Sequence, residues 1–391
     1  MREASRLLKD IPTSVTVSVN DKAHALKASG KDIIALAGGD PDYDTPCHVS
    51  EAAIRAINAG KTHYPSPTKG LSQLTAAIAD KTSRDNGFEV DPRTDVVVTP
   101  GCKWALFLAL SSVLNPGDEV LYFEPVWVSY PTLIRINGGV PVAVRLSSES
   151  DFAITADLIR RSITPKTKAL MVNSPNNPTG RVLTRQEVDA IVEIAIEADL
   201  YVIADEVYEK IIFDGRKHYS LAAEPGMAIR TLTANGLSKG YAMTGWRLGW
   251  LVGPPELMRL AIRMHGHSIT SAATFTMVAA VEALNGPQES VEQMRKGYQD
   301  RRDYMVTALN EIEGVDCYRP DGTFYLMPRF PSSLKNSLQL SEELLELAGI
   351  AATPGIAFGA SAEGFIRFSI ATRMEELERA VEHLGRVASL L

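Results

Sequence analysis

The 391-residue sequence predicts an α/β fold, a large doubly wound, seven-stranded and mainly parallel sheet joined to a smaller α+β part, and three observations predict it. Between about residues 95 and 254, short apolar runs alternate with helix-length amphipathic segments, the rhythm of a doubly wound sheet. Two of those runs, ALMVN and YVIAD, are almost continuously apolar, as parallel strands covered on both faces must be. Beyond about residue 290 the pattern changes to a long charged helix (EQMRKGYQDRRDYM) and two short strands around DGTFYLM. A helix near 341–348, the run FIRFSIA and a C-terminal helix follow.

The seven strands are expected at 95–100 (DVVVTP), 119–124 (EVLYFE), 141–146 (PVAVRL), 168–173 (KALMVN), 200–205 (LYVIAD), 230–235 (RTLTAN) and 247–253 (RLGWLVG). Helices fill most gaps. One starts at Thr184, where Glu187 three residues on makes a capping box that satisfies two orphan backbone donors ahead of Val188, Ile191 and Ile194. No repeat, low-complexity stretch or long linker separates the parts. The expected division is a large domain over 46–289 and a small domain from 1–45, which includes an N-terminal arm, and 290–391.

Composition narrows the function. Forty Lys+Arg against 47 Asp+Glu give a net charge of -7, which argues against nucleic acid or an anionic membrane surface as partner and for small molecules. Cys47, Cys102 and Cys317 are an odd, widely spaced set, as expected of a reduced compartment rather than a disulfide framework. The N-terminus (MREASRLLKD) mixes both charges without an apolar core, and the apolar stretch from Trp104 to Leu114 is too short to span a bilayer. A cytoplasmic location is expected.

In an open α/β sheet, ligands bind beyond the carboxyl ends of the strands, so polar residues that follow apolar runs are the candidates. Four clusters do so. Gly101-Cys102-Lys103 precedes a helix, where free N–H groups at a positive helix end suit a phosphate. Ser174-Pro175-Asn176-Asn177-Pro178-Thr179-Gly180 is a rigid polar turn. Asp205-Glu206-Val207-Tyr208 places a carboxylate at a strand end, costly unless paired, with a phenol three residues on. Gly236-Leu237-Ser238-Lys239 leads through Gly245-Trp246-Arg247 into the last strand. Each alone also reads as an ordinary turn, a helix cap or a solvated lysine.

Together, in the order LAGGDPDYDTP, THYPSPTKG, NSPNNPTG, DEVY, GLSKGYAMTGWRLGW and FIRFSIA, they resemble the pyridoxal-phosphate aminotransferases of classes I and II, fold type I, over essentially the whole chain, and in particular a bacterial aspartate aminotransferase subgroup. The resemblance implies that Lys239 bonds covalently to pyridoxal 5'-phosphate and, once released, carries the proton of the substrate Cα. It implies that Asp205 pairs with the pyridinium nitrogen, that Asn177 and Tyr208 donate to the phenolic oxygen, and that Trp127 stacks on the ring. The phosphate would take Arg247, the Ser238 hydroxyl and the N–H groups of Gly101, Cys102 and Lys103. Arg367 would grip the substrate carboxylate beside Gly39, with Trp127 and Asn177 also at the substrate. Tyr64 would reach the phosphate of a neighbouring subunit, which implies a homodimer with shared active sites and the segment around Ser268, Thr270 and Ser271 near the interface. No metal is implied. His265 and His267 are expected at the interface or surface, with no third ligand beside them.

Substrate is less constrained. The implied reaction moves an amino group from an L-amino acid, aspartate or glutamate foremost, to a 2-oxo acid such as 2-oxoglutarate in ping-pong fashion. Gly266 stands where the best-known branch has a partner-chain arginine for the distal carboxylate, and Lys103 with Ser14 and Thr16 resembles the bacterial arrangement that replaces it. Asp40 and Gly236 depart from the commoner residues of the family. An aromatic or broad-specificity aminotransferase, a C–S lyase and a pyridoxal-phosphate-sensing regulator remain open; the last needs a DNA-binding extension, and fewer than 40 residues precede Gly39.

Overall fold

A computed structural model describes residues 4–9, 11, 15–330 and 335–390. The strands among these are β1 (Ile34–Ala35), β2 (Val96–Thr99), β3 (Glu119–Glu124), β4 (Val140–Arg145), β5 (Thr167–Asn173) and β6 (Tyr201–Asp205). They continue with β7 (Thr231–Gly236), β8 (Gly249–Val252), β9 (Tyr325–Leu326), β10 (Ile350–Ala351), β11 (Thr353–Pro354) and β12 (Ile366–Ser369). The seven strands from β2 to β8 form one sheet in the order β2-β8-β7-β6-β5-β3-β4. All neighbours pair in parallel except β8, which runs antiparallel to both β2 and β7.

Period-two alternation sends successive side chains to opposite faces, and both faces are covered. Val120, Met171 and Ile203 pack with Leu106 and Ala109 of the Cys102–Val113 helix, while Leu121, Leu170 and Val202 pack with Ile191 and Ile194 of the Arg185–Glu197 helix. That second helix begins in the expected capping box: Glu187 N–H donates to Thr184 Oγ1 (3.3 Å) and Thr184 N–H to Glu187 Oε2 (2.9 Å). A third cluster sets Val96, Val98, Trp250 and Val252 against Leu74, Ile78 and Met277. No helix among the described residues is long and apolar enough to cross a membrane.

The C-terminal region differs in detail from expectation. Around DGTFYLM the structure has one two-residue strand, β9, not two strands, because Asp316, Gly322 and Arg329 pair only through isolated bridges. The pairing of β1 with β10 carried no alternating run to announce it, while FIRFSIA became β12, which pairs with β11 and completes the β11-β12-β9 sheet. The long helix runs Glu289–Asn310, and its Arg302, fully buried, forks onto both carboxylate oxygens of Asp214 at 2.9 Å each.

Behind the end of β6 lies a buried polar network. Lys81 Nζ meets Glu209 and Asn86 Oδ1 (2.6 Å); Asn86 Nδ2 donates to Glu209 Oε2 (2.8 Å) and Glu206 Oε2 (3.0 Å); Ser220 Oγ donates to Glu206 Oε1 (2.7 Å). Glu206, Glu209 and His218 cluster closely enough to hold a metal ion, but the lysine, amide and hydroxyl already engage their carboxylate oxygens. Burial pushes the Glu209 carboxyl up, and the nearby charges of Lys81, His218 and Lys210 with the Lys81 hydrogen bond together outweigh it, holding the group below the usual carboxylate range. Its contribution to stability is therefore present above about pH 4.5 and lost as pH falls through the lower folded-state value. Lys81→Met should cost on the order of 3–5 kcal/mol in urea unfolding at pH 7, because it leaves Glu209 buried without a cation, and adding Glu209→Gln should recover part of that. A single-variant cost below about 1 kcal/mol would show that water reaches the network.

Candidate active site

Four parallel strands end at one edge of the sheet, and in the register Asn173 stands beside Asp205, which stands beside Ala234. The polar residues that follow these strands therefore converge. They line a cavity of about 230 Å³ whose walls include Lys103, Trp127, Asn177, Asp205, Tyr208, Ser238, Lys239 and Arg247. Cys102, Leu106, Asn173, Val207 and Thr244 complete it.

Asp205 is the cavity's buried anion, 4% exposed. Tyr130 donates to its Oδ2 (2.6 Å), and its Oδ1 accepts from Val207 N–H (3.3 Å) and Cys102 Sγ (3.5 Å). Burial pushes the Asp205 carboxyl up and these donors pull it back. Among the described residues no cation forms an ion pair with it. Sequence reasoning missed Tyr130; its only signal is the step of three residues from Trp127, which brings the two rings edge to face at 5.7 Å.

Lys239 stands across the cavity, its Nζ donating to the carbonyl of Gly39. Desolvation draws its amine down to about 8, with Arg367 and Arg247 lowering it further and Asp40 opposing them. Asp40 itself accepts from Thr244 Oγ1 (2.5 Å), so the segment around residue 40 is tied to the Lys239–Arg247 loop. Lys103 Nζ sits 4.8 Å from the centre of the Trp127 ring, and partial desolvation, then the Arg247 charge, lower its ammonium below its ordinary range.

Gly101 precedes the Cys102–Val113 helix at φ 92°, a conformation that favours glycine, and a Cβ there would lie 2.6 Å from Arg247 Nη2. Of the three backbone donors expected here, the Gly101 N–H is already given to Thr99 O (2.7 Å), because the turn closes on itself. Cys102 and Lys103 open the helix, where N–H groups lack intrahelical acceptors. Arg247 is held by backbone oxygens, donating Nη1 to Thr244 O (2.8 Å) and Nη2 to Pro100 O (3.5 Å), which leaves its charge uncompensated.

Arg367, on β12, is 2% exposed and reaches the cavity edge through Asn177: Nη1 donates to Asn177 Oδ1 (3.1 Å), and Nη2 to Ala37 O (2.7 Å) and Thr353 Oγ1 (3.4 Å). Asn177 in turn points Nδ2 at the Tyr208 hydroxyl (3.5 Å). None of Lys103, Lys239, Arg247 and Arg367 forms an ion pair among the described residues.

Tyr64 does not join them; it is 80% exposed and outside the cavity. Ser14 lies outside the described residues, as does the side chain of Thr16, although its backbone belongs to the Val15–Ala28 helix. His265, expected at a surface or interface, is buried instead, because Trp104 Nε1 donates to its Nδ1 (3.2 Å) where the Pro255–Ser268 helix packs on the Cys102–Val113 helix; His267 is exposed.

Relatives are similar in sequence to the chain over nearly its whole length. The chain is 42% identical to the aspartate/prephenate aminotransferase of Thermus thermophilus over 99% of both chains, and 40% identical to aromatic-amino-acid aminotransferase 2 of Thermococcus litoralis over 91% of both. The solved structure of aspartate aminotransferase from Thermus thermophilus with maleate superposes with a TM-score of 0.94, at 42% identity, over 99% of this chain and 100% of that one. Residues 31–384 match the family described as aminotransferase class I and II, and with that match the chain belongs to these fold type I aminotransferases, in their aspartate aminotransferase subgroup.

Proposed function

We propose that the cavity holds pyridoxal 5'-phosphate and that the enzyme transfers the amino group of an acidic L-amino acid, aspartate or glutamate, to a 2-oxo acid such as 2-oxoglutarate. The observation that carries this reading is the charge balance: Lys103, Lys239, Arg247 and Arg367 lack anionic partners, while the buried Asp205 lacks a cation. A ligand with a dianion at one end and a protonated ring nitrogen at the other satisfies both, and the unpaired Arg247 guanidinium, packed against Gly101 at the start of the Cys102–Val113 helix, is what would meet the dianion. When bound, pyridoxal phosphate supplies an electron sink for the electron pair left at the substrate Cα.

This chain's residues do the rest. Lys239 provides the neutral amine that bonds the cofactor and then moves the proton at Cα. Asp205, fixed by Tyr130 and Cys102, holds the ring-nitrogen proton. Arg247, Ser238 and the N–H groups of Cys102 and Lys103 anchor the phosphate, and Asn177 and Tyr208 donate to the phenolic oxygen. Trp127 covers the ring. Arg367 orients the substrate carboxylate beside Gly39, and Lys103 attracts a distal one. Residues 46–289 act as the unit that holds the cofactor, and 1–45 with 290–391 as the unit that meets the substrate. The exposure of Tyr64 supports a homodimer in which it serves the partner's site. An aromatic donor is the second reading, favoured by the apolar wall of Leu106, Trp127 and Val207.

The sign of the Lys239 shift gives a pH test. Only the unprotonated amine attacks, and with its pKa near 8 rather than 10.5 that fraction rises through pH 8 and levels off above it. The rate at which apoenzyme takes up pyridoxal phosphate covalently, followed by visible absorbance, should show that plateau; a rate still climbing at pH 10 would contradict it. Lys239→Ala should bind the cofactor without covalent attachment and lose turnover.

Substrate choice is tested at Lys103. Lys103→Met should lower kcat/KM for aspartate and glutamate roughly 10- to 150-fold, the loss of one charged contact in a partly closed site, and leave aromatic donors nearly untouched. An equal loss for all donors would assign Lys103 to the phosphate and make the aromatic reading the leading one.

A further inference from the structure

A phenol has one proton to give, and where Tyr208 sends its own depends on what its oxygen accepts. The hydroxyl of Tyr325 lies 3.2 Å away, and Tyr208 is among the cavity walls while Tyr325 is buried behind it. Among the described residues the Tyr325 hydroxyl has no other hydrogen-bond partner, so if Tyr208 donated to it the Tyr325 proton would be buried with no acceptor, at the full cost of an unmade hydrogen bond. Tyr325 therefore donates to Tyr208. The Tyr208 oxygen, which also faces Asn177 Nδ2, is then an acceptor on its protein side, and its own proton is left to face the cavity.

The ring of Tyr325 has a second contact. Strand β9 runs antiparallel to β12 with Tyr325 opposite Ser369, which makes Arg367 its diagonal neighbour on the same side of the sheet. The Arg367 guanidinium lies 4.2 Å from the centre of the Tyr325 ring and 4.8 Å from that of Phe358, so its plane is held by aromatic faces, while its edge is held by neutral oxygens. Residue 39 is kept small by the same side chain, since a Cβ at Gly39 would lie 2.6 Å from the Tyr325 oxygen.

We propose that Tyr325 is a positioning residue of the transamination site: its hydroxyl aims the Tyr208 proton into the cavity, and its ring holds the Arg367 guanidinium in place for the substrate carboxylate. The proposal rests on the cofactor reading given above. The charged groups that face the phenol pair are Arg367 from β12, Asp205 from β6, Asp40 from the N-terminal segment and Lys239 after β7. Burial raises both phenols above their ordinary range, so both keep their protons at neutral pH.

Two variants separate the two roles in the holoenzyme. Tyr325→Phe keeps the ring and removes the donor; Tyr208 then becomes a weaker donor to the bound cofactor's phenolic oxygen. The pH at which the cofactor's visible absorbance changes should move up by about half a unit to one unit, the size of one lost hydrogen bond, while the dissociation constant of succinate stays within about twofold. Tyr325→Leu should show the same upward shift and bind succinate about tenfold more weakly, because the guanidinium loses its support. Thermal melts establish that both variants fold, and the near-isosteric phenylalanine keeps the first arm decisive if leucine does not. A Tyr325→Phe titration that coincides with wild type overturns the hydroxyl role, and unchanged succinate affinity in folded Tyr325→Leu overturns the ring role. A wild-type protein that gains no visible band with pyridoxal phosphate overturns the cofactor reading itself, a result distinct from an unshifted variant.

Discussion

A carboxylate taken out of water has to be met by donors, and the way Asp205 is met organises the site around it. Its three donors come from different places in the chain: Cys102 opens the helix after β2, Tyr130 follows β3, and Val207 is in the turn after β6 itself. Three turns are thereby tied to one charge. Parallel pairing makes this feasible, since strands that run the same way present their carboxyl ends on one edge, and the register that sets Asn173 beside Asp205 also brings the Asn177 turn within reach. The network of Lys81, Asn86, Glu206 and Glu209 backs the same strand end, so the residue next to Asp205 is a second buried carboxylate with its own donors.

The strand ends were legible in the sequence because an almost uninterrupted apolar run of five or so residues that stops at a polar one fits a parallel strand covered on both faces and little else. ALMVN and YVIAD became β5 and β6 within a residue or two, and Asn177, Asp205, Lys239 and Arg247 fell into one cavity. Tyr130 and Tyr325 were not legible, since an aromatic residue in an apolar neighbourhood looks like core whether or not its hydroxyl has a task. Lys81 and Arg302 were invisible for the opposite reason: each sits among polar residues on an amphipathic helix, where a charge looks solvated, and only tertiary packing buries it. His265 was misplaced by the same blindness to packing. Tyr64, expected at a phosphate, is exposed and outside the cavity of its own chain.

The small sheet and the N-terminal segment explain how distant parts of the sequence reach the cavity. Ala37 O accepts from Arg367, Gly39 O from Lys239, Asp40 from Thr244, and Asp42 from Arg301 (2.7 Å), so one short stretch is bonded in turn to β12, to the loop after β7 and to the long Glu289–Asn310 helix. Lys239 and Arg367 are held by the carbonyls of residues only two apart, Gly39 and Ala37.

What those carbonyls leave undone is the compensation of charge. Arg367 is buried with aromatic rings on its faces and only neutral oxygens on its edges, an arrangement that satisfies several of its hydrogen-bond donors without cancelling its charge. A buried guanidinium of this kind is costly on its own, and a carboxylate that arrives beside it recovers more Coulomb energy than the same pair would in water. Arg247, by contrast, is exposed and held by backbone oxygens, so any anion it meets stays partly hydrated. The two arginines thus differ in environment, one buried and the other in contact with water, and the Coulomb energy an anion gains beside each differs accordingly. Beside Arg247 in the cavity wall stand a lysine whose amine burial makes less basic and a carboxylate kept in place by a phenol and a thiol.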